Sequence, residues 1–140
     1  MNIYNLTISE IPYTFEAPSN EIAAAVVFLL GNGHYGAKSE DKSFEIPATG
    51  FLGMRGTEWF LSTFQKDLKQ FIEENKIEIA NSLTTFIPGT PTDRKTFFEK
   101  LDNTPSLLTR IAIIDQTLKN KGGKDGYIPS LGWHIAQQLI

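Results

Sequence analysis

Apolar residues are densest between Ile22 and Leu30, where Ile-Ala-Ala-Ala-Val-Val-Phe-Leu-Leu runs for nine positions without a polar side chain. Pro18, Ser19, Asn20 and Glu21 supply N-cap and first-turn chemistry ahead of it, and Gly31 and Gly33 offer the positive φ angles that end a helix. The run predicts a helix with no solvent face, covered on nearly all sides. It falls well short of the ~20 residues that cross a bilayer, and it has neither the basic leader nor the N-terminal position of a signal peptide. No membrane association is expected.

Gly31-Asn32-Gly33-His34-Tyr35-Gly36 spells G-x-G-x-x-G, the outline of a dinucleotide loop. That loop works by aiming the N-terminal amides of a following amphipathic helix at a pyrophosphate. Here the glycines are followed by Ala37-Lys38-Ser39-Glu40-Asp41-Lys42, a polar turn with no apolar stripe. A helix stop leading into a strand is the better reading.

Before the core run, residues 3–8 alternate with Tyr4, Leu6 and Ile8 on one face. Ser9-Glu10-Ile11-Pro12 turns, and Tyr13-Thr14-Phe15-Glu16 alternates again, giving a first hairpin. Beyond it, residues 34–38 and 43–47 flank the turn at Ser39–Lys42 as a second hairpin, with Phe44 and Ile46 facing one way. Residues 49–56, with Gly50, Gly53 and Gly56, read as a loop carrying Phe51 and Arg55. From Thr57 onward the period is helical. Trp59, Phe60 and Phe64 mark a short segment, and Asp67–Gln70 resembles a capping box. The longest helix then presents Leu68, Phe71, Ile72, Ile79, Leu83 and Phe86 until Pro88-Gly89. Its opposite face carries Lys69, Glu73, Glu74, Lys76 and Glu78, with Lys69 and Glu73 spaced for pairing. Pro91-Thr92-Asp93 opens a helix with Phe97, Phe98 and Leu101. Thr104-Pro105 opens another through Lys119, and Ser130 caps a last one with Leu131, Ile135 and Leu139 on one side. The expected fold is α+β over residues 1–140 as one domain: a small antiparallel sheet of two N-terminal hairpins around a buried helix, followed by a helical C-terminal half.

Composition narrows the function classes. The 140 residues are 41% hydrophobic with a net charge of −3, so bulk attraction to a phosphate backbone is disfavoured. Cysteine is absent, which removes disulfides, thiolate chemistry and sulfur-ligated metals. Asn5-Leu6-Thr7 matches a glycosylation acceptor but reads more simply as strand. His34 and His134 show no metal-ligand spacing, and no nucleophile elbow, P-loop or aspartate-rich metal loop occurs. No catalytic residue, metal site or cofactor is therefore expected.

Binding is the remaining class. The candidate partner contacts are His34, Tyr35, Phe51, Arg55 and Tyr127 in glycine-rich loops, together with the acidic set Glu73, Glu74 and Glu78. An alternative is a nucleic-acid module using Lys119, Lys121 and Lys124, whose bland reading is cations at a helix C-terminus. A third, an enzyme using His34 and Arg55 on a small anion, requires those side chains to share a pocket.

Ile11–Pro18, Leu30–Gly36, Glu58-Trp59-Phe60, Asn75–Leu83 and Ser130–Ala136 together resemble small accessory proteins carried by plasmids, integrative elements and phages of Gram-negative bacteria. The resemblance implies context rather than chemistry: a bacterial cytoplasm and accessory roles such as countering host defence. The expectation is a non-enzymatic protein that binds a bacterial protein or complex, as an anti-CRISPR-like or anti-restriction-like inhibitor.

Overall fold

The computed structural model describes residues 2–8, 10–31, 34–48, 53–102 and 127–139. Strands β1 (Asn2–Ile8) and β2 (Ile11–Ala17) form an antiparallel hairpin with Ile8 opposite Ile11. The turn is tighter than the expected Ser9–Pro12, because Glu10 adopts a φ of 69°. Pro12 therefore stays in the strand, where only its carbonyl is used, accepting from the Gly89 N–H at 2.8 Å. Tyr4, Leu6 and Ile8 of β1 and Tyr13, Phe15 and Ala17 of β2 are buried on one face, as a two-residue period requires.

Helix α1 (Asn20–Gly31) starts where the cap chemistry places it, with Ser19 Oγ accepting from the Ile22 N–H at 3.2 Å. Ala23 to Val27 have no solvent exposure. The Tyr4 hydroxyl donates to Asn20 Oδ1 at 2.7 Å and pins the helix start to β1.

The second hairpin forms over less chain than the pattern suggested: β3 (Ala37–Ser39) pairs antiparallel with β4 (Glu45–Ile46). The turn between them is built on Asp41, whose Oδ1 accepts from Ser39 Oγ (2.7 Å), Ser43 Oγ (2.7 Å) and the Ser43 N–H (3.0 Å). The Ser43 and Ser39 hydroxyls hold its carboxyl at about 2, against an ordinary value of 3.8. Because the folded-state value is the lower, ionised Asp41 stabilises the turn above 3.8, and that contribution is lost as pH falls toward 2. An NMR titration of the Asp41 carboxyl is expected to show its midpoint near 2; a midpoint near 3.8 would contradict this geometry.

Helix α2 (Gly53–Phe64) begins earlier than expected, so Arg55 and Gly56 are helical rather than part of a loop. Gly56 is buried inside this helix despite the poor helix propensity of glycine. The expected long helix is two helices, α3 (Leu68–Glu74) and α4 (Lys76–Leu83). Asn75 divides them: its φ and ψ are −125° and 30°, and its side-chain amide donates back to the Phe71 carbonyl at 2.9 Å. Asp67 caps α3 by accepting from the Gln70 N–H at 2.9 Å. After α4 the chain forms β5 (Ile87–Pro88), read from the sequence as the end of the long helix. It pairs with Tyr13 and Thr14 and completes a five-stranded antiparallel sheet of order β4-β3-β1-β2-β5.

Helix α5 (Pro91–Asp102) follows, and α6 (Tyr127–Leu139) is the last described element. Ser130 lies inside α6 rather than at its cap, since Pro129 is tolerated in the first turn. A Cβ on Gly132 would stand 2.9 Å from the Leu83 carbonyl oxygen, so glycine there lets α6 and α4 approach closely.

The fold is thus α+β, with α1 packed among β2, α2, α4 and α6. Tyr4, Phe15 and Phe86 form one ring stack, at 5.3 and 4.5 Å between centroids. Among the described residues, no helix is long and apolar enough to cross a membrane. The helix expected over 105–119 lies outside them.

Candidate functional site

The clefts among the described residues include three on the surface. One, of about 490 Å³, is lined by Lys38, Lys42, Glu40 and Glu45, whose charges cancel. Another, of about 350 Å³, surrounds the Asp41 turn, where the carboxylate is already bonded to serine groups. The third, of about 340 Å³, lies between the start of α1 and the α3–α4 corner. Its charged lining is Glu21, Glu74 and Glu78 against a single lysine, Lys66, with the Phe71 ring as an apolar wall. The cleft at Asp41, with Glu40 beside it, is as acidic, but of the three only this one sets carboxylates against an aromatic ring.

Each of its groups is placed by a local structural cause. Glu21 lies in the first turn of α1, where a carboxylate complements the helix dipole. Glu74 is the last residue of α3 and accepts from the Gln70 side-chain amide at 2.9 Å; Glu78 lies in the first turn of α4. The break at Asn75 sets the angle between those two helices, and Asn75 itself lines the cleft. Lys66 follows Gln65, whose φ of 58° terminates α2. Its ammonium pairs with Glu21 and lies 5.6 Å from the Phe71 ring centroid. Ile77, outside the cleft's lining but next to Glu78 in sequence, is 68% exposed. Among the described residues, no three acidic or histidine side chains gather as a metal-holding group.

The acidic candidates therefore divide. Glu74 and Glu78 line the cleft, whereas Glu73 is exposed outside its lining and pairs with Lys76 at 2.9 Å. The pairing expected for Lys69 and Glu73 is replaced by this shorter link across the helix break. Of the loop candidates, His34, Tyr35 and Arg55 line none of the three clefts. His34 is exposed, and Tyr35, expected as an exposed platform, is half-buried against the core, with the two rings 6.4 Å apart. Arg55 is exposed on α2. Tyr127 is the first residue of α6 and not a loop residue. Phe51, Lys119, Lys121 and Lys124 lie outside the described residues.

Sequence reasoning missed Glu21, Lys66 and Ile77. The signal for Ile77 is present, since it falls out of phase with the apolar stripe of Leu68, Phe71, Ile79 and Leu83. It also missed Arg94 of α5, which is 2% exposed and reaches Thr14, Glu16 and Thr85.

No family model matches the chain, and neither a curated protein nor a solved structure matches it.

Proposed function

We propose that the protein is a non-enzymatic binding protein of a bacterial mobile element, and that it docks the acidic cleft onto a basic, nucleic-acid-binding surface of another protein. Acting in place of phosphate, it would inhibit a host defence complex. The observation that carries this reading is the cleft itself, where carboxylates from α1, α3 and α4 meet around an aromatic wall. Carboxylates with an adjacent π face suit an arginine or lysine side chain. Exposed Ile77, next to Glu78 on α4, would supply an apolar anchor of the kind that adds affinity to a charged rim. The mobile-element setting rests on the family resemblance.

Titration calorimetry with octa-arginine at low salt tests the docking chemistry. The protein is expected to bind with an affinity that falls as salt rises. The double variant Glu74→Lys/Glu78→Lys is expected to lose about tenfold or more, about 1.4 kcal/mol. Both residues are exposed, so the fold should survive the change. Binding unaffected by the double variant would refute the assignment of the cleft.

A further inference from the structure

The cleft already holds a cation of the protein's own. Lys66 lies between two fixed points, the left-handed residue Gln65 that closes α2 and the cap residue Asp67 that opens α3. Held there, its ammonium donates to Glu21 Oε2 and stands over the Phe71 ring. A carboxylate and an aromatic face are the same two groups that would receive a basic side chain from outside. The contact is also exchangeable: the Lys66 side chain is 51% exposed and that of Glu21 31%. An exposed ion pair of this kind contributes only about a two- to fivefold bias.

We propose that Lys66 is an intrachain occupant of the cleft, an autoinhibitory contact that a partner's arginine displaces; the proposal rests on the cleft being the docking site. Arginine is the favoured displacer. Its guanidinium forms two parallel bonds to a carboxylate and stacks on a ring, whereas the lysine ammonium acts as a single, strongly hydrated point charge. The displaced Lys66 has a solvent-exposed stem and returns to water.

Octa-arginine titrated against the whole protein tests this with paired variants. Lys66→Gln and Lys69→Gln each remove one positive charge, but only the first vacates the cleft, since exposed Lys69 does not line it. Lys66→Gln is expected to bind about two- to fivefold more tightly than Lys69→Gln, the size of the bias an exposed pair exerts. Lys66→Met, which keeps the apolar stem, is expected to behave like Lys66→Gln. Equal affinities for the Lys66 and Lys69 variants would overturn the autoinhibitory role while leaving the docking site standing. Failure of wild type to bind, or indifference to Glu74→Lys/Glu78→Lys, would overturn the docking site and this proposal with it.

Discussion

Val26→Asp is expected to abolish folding. Val26 has no solvent exposure and sits midway along α1, the helix that β2, α2, α4 and α6 pack against. An aspartate there must either keep its charge in an apolar interior or take up a proton at a large cost. The loss should exceed about 4–5 kcal/mol, comparable with the whole stability of a small domain. Val26→Ala separates charge from volume: it removes only packing and should cost about 2 kcal/mol while leaving a cooperative transition. Thermal and urea unfolding followed by circular dichroism measure both. A soluble Val26→Asp protein with an unchanged melting curve would show that α1 is not the core.

Arg94→Ala should be the most damaging change at a charged position, at about 3–5 kcal/mol. The guanidinium ties α5 to β2 and to the turn after α4. Nη1 donates to the Thr85 carbonyl at 2.6 Å after α4 and to the Thr14 carbonyl at 3.2 Å on β2, while Nε pairs with Glu16 Oε1 at 3.3 Å. Thr14 and Glu16 alternate with the core residues Tyr13 and Phe15, so α5 reaches the sheet from the face opposite α1. Burial lowers the guanidinium below its ordinary value and Glu16 pulls it back up, so the ion pair offsets part of the lost water. Truncation strands those acceptors. Arg94→Lys should also destabilise, by about 1–2 kcal/mol, since one ammonium cannot reproduce the planar fork. Urea denaturation checks both values. An Arg94→Ala protein within about 0.5 kcal/mol of wild type would contradict this role.

The parts of the fold legible in the sequence are those where one residue type performs one local task. Ser19 and Asp67 cap helices, and Tyr4, Leu6 and Ile8 alternate along a strand, so α1, β1 and the start of α3 follow from pattern alone. The helix break at Asn75 was not legible, because Leu68, Phe71, Ile79 and Leu83 keep one helical phase on both sides of it. At two residues β5 is too short to show a period. Arg94 is preceded by Asp93 and followed by Lys95 in a polar helix start, and nothing in that string marks it as the buried one. Of the cleft, Glu74 and Glu78 were visible as neighbours one helical turn apart. Glu21 and Lys66 were not, since their meeting depends on how α1 packs against the α2–α3 junction. Proximity of that kind belongs to the tertiary structure.

Under the proposed function this cleft, rather than the equally acidic one at Glu40 and Asp41, receives the basic partner. The most direct measurement is an amide ¹H–¹⁵N NMR titration of the whole protein with octa-arginine at low salt. The account predicts the largest shifts at Glu21, Lys66, Phe71, Glu74 and Glu78, saturating together. Shifts centred instead on Glu40 and Asp41, or spread evenly over every carboxylate, would contradict it.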